Sequence, residues 1–113
     1  MKILGIGVDI ISNKRIQSLV KNKTFIKRTF GKNEVKFSKK IKKKTNYFAK
    51  RFAAKEAFAK SLGTGFRNDL NFKDIEILND KIGKPYFFNS RKIKNFVKKK
   101  FKVKNFNLFL SIS

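Results

Sequence analysis

Apolar residues are spread along the whole chain, and their spacing changes from segment to segment. At the start, Ile3, Leu4, Ile6 and Val8 surround Gly5 and Gly7. This pattern predicts a short buried strand over residues 2–8, with the glycines letting neighbouring backbone come close and Asp9 at its carboxyl end. Ser12 and Asn13 are good helix N-caps, and Ile16, Leu19 and Val20 fall on one face of the helix that follows. A second helix is expected over about 24–30, stopped by Gly31 as its C-cap, and residues 33–40 suit another turn or two. Residues 39–44 are too charged to bury and are expected as a mobile loop or an exposed helix end. The clearest helical stretch, 46–62, is rich in alanine and ends at Gly63. Residues 74–78 alternate, a turn follows over 79–85, and Tyr86-Phe87-Phe88 returns, so 74–88 predicts a hairpin. A basic helix over about 90–100 and a strand over 106–112 complete the pattern. With no repeat and no linker, residues 1–113 are expected to form a single α+β domain.

Composition narrows the chemistry. Hydrophobic residues make up 41% of the chain and include fourteen Phe, which suits a packed core rather than a disordered basic tail. Phe30, Phe37, Phe48, Phe52, Phe58, Phe87 and Phe88 stand at helical or alternating spacing, so they are expected in the core rather than as base-stacking platforms. No apolar run approaches the ~20 residues of a membrane span, and the first residues lack the pattern of a secretory signal, so a cytoplasmic protein is expected. Cysteine and histidine are both absent, which removes disulfides, imidazole or thiolate metal sites and every His-based triad.

The net charge of +23 attracts polyanions of any kind: nucleic acid, anionic membrane or acidic protein. Twenty-five of the thirty basic residues are Lys, and the plentiful Lys, Asn, Ile and Phe share A/T-rich codons, so part of this charge is expected from base composition alone. Lys14, Arg15, Lys21, Lys23, Lys27 and Arg28, gathered on the first two helices, are either a solvated face or a docking surface for an acidic partner. Runs of Lys at 39–44 and 98–104 support the alternative of a basic nucleic-acid-binding module without catalysis.

Seven acids stand against thirty Lys and Arg, so an acid that is placed needs a reason. Asp9 ends the first strand pattern. Glu56 falls with Ala49, Phe52, Ala53, Lys60 and Gly63 on one face of the 46–62 helix. Glu56 and Lys60 alone would be an ordinary i,i+4 pair of about 0.2–0.5 kcal/mol. Should Asp9 meet Glu56, the two carboxylates would repel unless a cation lay between them, and two carboxylates can hold Mg²⁺, which in turn holds phosphate oxygens. The Gly5-x-Gly7 pair does not extend to a dinucleotide fingerprint, because position 10 is Ile.

Gly7-Val8-Asp9, followed by Phe52-Ala53-Ala54-Lys55-Glu56-Ala57-Phe58-Ala59-Lys60, is similar to the two-part signature of the 4′-phosphopantetheinyl transferases. Ile3 to Ile16, Arg51 to Gly65, and Asp74 through Gly83-Lys84-Pro85 extend the agreement, which resembles the acyl-carrier-protein synthases within that family. The resemblance implies a small antiparallel sheet with a long helix packed on it. It implies transfer of 4′-phosphopantetheine from coenzyme A to a serine of apo acyl carrier protein, releasing adenosine 3′,5′-bisphosphate. Asp9 and Glu56 would then bind Mg²⁺, and Lys60 would contact the same phosphates. Arg51, Lys55, Gly63, Thr64 and Gly65 would help hold coenzyme A, with Lys84 and Pro85 near its nucleotide. Arg15 would meet the acidic carrier protein, reinforced by Lys14, Lys21, Lys27 and Arg28. Glu56 or a metal-bound water would take the serine proton. The family forms a homotrimer with active sites between subunits, and no specific nucleic acid or membrane partner is implied. The family pattern also continues beyond Ser113 with a histidine and one more strand, and often has His where Phe109 stands. A shortened carboxyl end lacking its last strand is the expectation.

Overall fold

The computed structural model describes residues 2–9, 13–63 and 70–112. Five helices are described: α1 (Asn13–Leu19), α2 (Lys23–Thr29), α3 (Lys32–Ser38), α4 (Lys44–Ser61) and α5 (Arg91–Phe101). A single 3-10 turn, Phe72–Asp74, precedes an antiparallel hairpin of β1 (Ile77–Asn79) and β2 (Pro85–Phe87), paired in the register Ile77↔Phe87, Leu78↔Tyr86 and Asn79↔Pro85. None of these helices is long and apolar enough to cross a membrane.

The helices form where the apolar spacing predicts. Ile16 is completely buried, with Leu19 and Val20 beside it. Asn22 caps α2 by accepting from the N–H groups of Thr24 and Phe25, and Ser90 caps α5 by accepting from Ile93 N–H. Gly63 ends α4 at a φ of 81°, the left-handed conformation in which an L side chain is strained. At the other end, the Lys44 ammonium donates to the carbonyls of Ser38 and Ile41, folding the basic run 39–43 into a turn whose lysines are exposed.

Helix α4 spans two separate hydrophobic clusters. Its first half carries Tyr47, Phe48, Ala49 and Phe52 into a core shared with Ile16 and Phe30. Its second half carries Phe58 and Leu62 against Leu70, Ile75, Ile93 and Val97. Phe58 also meets Phe87 of β2, ring centres 5.3 Å apart, which packs the helix on the hairpin. Most of the phenylalanines expected in the core are there, although Phe37 and Phe88 are exposed.

Several expectations need correction. Gly31 is not a left-handed C-cap: its φ is −74°, and it stands at the N-terminus of α3, where its N–H donates to the Glu34 carboxylate at 2.9 Å. A side chain there would run into Glu76, which is the reason for a glycine. The strand expected at 74–78 begins later. Asp74 accepts from Asn71 N–H and winds the 3-10 turn, while the Glu76 carboxylate leaves the hairpin to accept from the N–H groups of Asn33 and Glu34.

Residues 2–9 and 105–112 carry no regular secondary structure, so neither strand expected at the two ends is formed. Ile3, Ile6 and Val8, expected inside, are 74%, 84% and 79% exposed. A strand needs a neighbour's N–H and C=O groups, and among the described residues neither segment has one alongside. The alternation expected of the last strand survives as half-buried Phe106, Leu108, Leu110 and Ile112 between exposed Asn107, Phe109 and Ser111.

Candidate active site

The second half of α4 presents small side chains, Ala53, Ala57 and Ser61, and the segment 2–9 lies across them. A Cβ on Gly7 would run into the Ala57 carbonyl, and one on Gly5 into that of Ser61. The two glycines let backbone rest on backbone, as expected of them. That contact decides where Asp9 arrives. Its carboxylate takes a 2.7 Å ion pair and hydrogen bond from the Lys60 ammonium, which also donates to Val8 O at 3.2 Å. Glu56 lies one helical turn before Lys60 and is half-buried. Among the described residues it has no hydrogen-bond or ion-pair partner. The structure thus brings Asp9, Glu56 and Lys60 to the same stretch of α4.

Asp9 stands in the wall of a cleft of about 690 Å³. The small residues of α4 form its floor, and residues 107–112 form the far wall. Lys50 and Asn46 also line it. Lys50 is an exposed cation that sequence reasoning passed over, although it lies seven residues, about two turns, before Ala57 on the same helix. Among the described residues no three carboxylates gather in one place.

Two residues expected to hold the cofactor belong to the interior instead. Lys55 is completely buried. Its ammonium meets Glu34 at 2.7 Å, donates to Phe72 O at 2.9 Å and donates to Ile75 O, so all three of its protons are committed. Arg51 is also buried; its guanidinium lies 3.7 Å over the Tyr47 ring and donates to Asn79 Oδ1. Neither reaches the surface, although the Arg51 Nε has no hydrogen-bond partner. Arg51 instead tethers Asn79, the residue paired with Pro85, and so steadies the Lys84–Pro85 end of the hairpin. Lys84 itself is exposed.

Sequence reasoning missed Glu34, the partner of Lys55. The signal was present, since Glu34 is one of only seven acids and follows Gly31 at capping-box spacing. Its second oxygen accepts from Ile77 N–H at 3.0 Å, so one carboxylate links α3, α4 and β1.

Of the other expected residues, Gly63 is exposed at the end of α4, while Thr64 and Gly65 lie outside the described residues, as does Ser12. Lys14 and Arg15 on α1, Lys21 in the turn, and Lys27 and Arg28 on α2 are all exposed, and no ion pair among the described residues involves them. Arg28 also lines a second cavity of about 580 Å³ with Phe25, Phe52, Phe72 and Lys73.

Known proteins resemble this chain in sequence and in fold. A protein of Pelagibacter ubique (strain HTCC1062) named holo-[acyl-carrier-protein] synthase is 60% identical over 113 residues, which cover all of this chain and 88% of that protein. The crystal structure of the Neisseria meningitidis holo-[acyl-carrier-protein] synthase superposes with a TM-score of 0.80 at 42% identity, over 88% of this chain and 81% of that one. That of the Helicobacter pylori synthase in complex with coenzyme A does so with a TM-score of 0.72 at 31% identity, over 88% of this chain and 82% of that one. The α+β fold and the resemblance carried by the two motifs are both borne out. Residues 5–109 match the family profile described as the 4′-phosphopantetheinyl transferase superfamily, and the chain belongs to that superfamily.

Proposed function

We propose that this protein is a Mg²⁺-dependent enzyme that transfers 4′-phosphopantetheine from coenzyme A to a serine of apo acyl carrier protein. The observation that carries it is the delivery of Asp9 onto α4 at Lys60, one turn from the unpartnered Glu56. The 60% identity with a holo-[acyl-carrier-protein] synthase supports the activity, and the coenzyme A in the Helicobacter pylori structure supports the donor. No comparable observation favours a nucleic-acid-binding module.

In the reaction, the serine hydroxyl oxygen bonds to the phosphorus that carries pantetheine. The bond from that phosphorus to the oxygen bridging it to the nucleotide phosphate breaks, and adenosine 3′,5′-bisphosphate leaves with that oxygen. Asp9 and Glu56 fit Mg²⁺, because both are oxygen donors and such an ion is commonly held by one or two carboxylates together with substrate phosphates. When bound, the ion would neutralise charge on the pyrophosphate. Lys60 offers a second positive charge to the same phosphates. Glu56 is also the acceptor available for the serine proton. Lys84 and Pro85, steadied through Arg51, serve the nucleotide end, and Gly63, Thr64 and Gly65 the loop beside it.

The exposed cations of α1 and α2, Arg15 above all, suit an acidic carrier protein. The exposed Ile3, Ile6, Val8 and Phe109, in two segments outside any sheet, support assembly with further copies as a homotrimer. The cytoplasm is the expected compartment.

Purified protein with apo carrier protein, coenzyme A and MgCl₂ should shift the mass of the carrier by one phosphopantetheine. Asp9→Asn and Glu56→Gln should each lose about 100-fold or more in rate while keeping the fold. Well-folded wild type that modifies no carrier protein would overturn the proposal.

A further inference from the structure

We propose that Lys60 is an internal stand-in for the divalent cation at Asp9. Its ammonium neutralises the carboxylate until the metal arrives, and the metal then releases it toward the phosphates. This rests on the assignment of Asp9 as a metal ligand made above.

Helical spacing offers Lys60 an easy partner in Glu56, four residues earlier. The structure shows a different choice. The ammonium reaches Asp9 Oδ1, 51 residues away in sequence, at 2.7 Å, and steadies itself on Val8 O at 3.2 Å. The choice leaves Glu56 open and neutralises Asp9 through one of its oxygens. Asp9 is only 16% exposed at its side chain, so a bare carboxylate there would be costly, and Lys60 removes that cost. The Lys60 side chain is 56% exposed, so it can leave without disturbing any core packing. Lys55, one residue before Glu56, is the contrast: buried and fully bonded, it cannot leave.

The two cations compete for one carboxylate. The ammonium holds Oδ1 at 2.7 Å, and a divalent ion on either oxygen of the same carboxylate would stand close enough for the two positive charges to repel. Metal binding at Asp9 would therefore loosen Lys60, and a loosened Lys60 is the ammonium available to a phosphate. Without metal, the same ammonium is held on Asp9. Metal binding and phosphate binding become linked through a single side chain, and an order follows in which the metal precedes the full grip on the pyrophosphate.

The test measures Mn²⁺ binding by electron paramagnetic resonance, on the protein without coenzyme A, so that activity plays no part. Lys60→Met should bind Mn²⁺ roughly three- to tenfold more tightly than wild type. Lys60→Arg keeps the charge and should stay within about twofold of wild type. Asp9→Asn should lose tenfold or more, since a carboxylate ligand is gone. Circular dichroism checks that each variant folds. Unchanged or weaker binding by Lys60→Met, with Asp9→Asn still deficient, overturns the inference and leaves the metal assignment standing. Lys60→Arg matching a tightened Lys60→Met also overturns it, because charge would not be the cause. Equal binding by Asp9→Asn and wild type overturns the metal assignment and the inference together.

Discussion

Lys55 and Glu34 meet at 2.7 Å with neither side chain exposed. Burial pushes the Glu34 carboxyl up and the Lys55 ammonium down, each away from its charged form, and the hydrogen bonds oppose that trend. Lys55 faces only acceptors, and Glu34 receives only donors, which is the pattern of an ionised pair. Removing one member leaves a buried charge alone, at a cost of about 3–5 kcal/mol. Lys55→Met should therefore lower unfolding stability by that amount in a urea titration. Glu34→Gln with Lys55→Met should recover most of the loss, because no lone charge remains. Tyr47 donates to Glu34 O at 2.8 Å in the same neighbourhood. Burial is the main force raising its phenol above the ordinary value, and Glu34 adds to it against Arg51. The unfolded chain then loses this proton before the native one does, so the phenol's contribution is intact below about pH 10 and declines as pH rises further. Tyr47→Phe should show a flatter fall in urea midpoint between about pH 9 and pH 11 than wild type. The Lys55–Glu34 pair was not legible in the sequence, because a lysine next to a motif glutamate reads as a ligand for phosphate. Only the packing of α3 against α4 and β1 reveals that it has been enclosed.

The helices and the hairpin were legible and the two terminal strands were not, for a reason visible in the elements themselves. A helix satisfies its backbone internally, so Ile16, Leu19 and Val20 or the Ser90 cap suffice to place one. A strand borrows its bonds, and the alternation of 106–112 records which side chains face inward without saying what lies beside them. The segment 2–9 is held by α4 rather than by a sheet, through the two glycines. Gly7→Ala would push the segment off the Ala57 carbonyl and carry Asp9 away from Lys60. Transfer activity should fall about tenfold or more with the helical circular dichroism unchanged, since no core residue is touched. A Gly7→Ala protein with wild-type kcat/KM would show that this contact does not position Asp9. Asp9 and Glu56 stood out as candidates because acids are scarce in this chain. The pairing of Asp9 with Lys60 was not legible, because it depends on how the segment crosses the helix.

At the scale of the molecule, the net charge of +23 is a long-range field, and the exposed cations of α1 and α2 give it a face. KM for apo carrier protein should rise several-fold between about 50 mM and 200 mM salt while kcat changes little, as expected for screened steering. Arg15→Glu should raise KM and flatten that salt dependence, and steady-state kinetics at two salt concentrations would reveal it. The two clusters along α4 share no buried residue. The first cluster carries the cationic helices α1 and α2; Asp9 comes to rest on the second half of the same helix, whose core is the other cluster. For protein engineering this means modularity. Substitutions on α1 and α2 that retune carrier preference should combine additively with substitutions around Asp9 and Lys60 that retune metal or donor. The two sets can be evolved in separate libraries and joined in a final step.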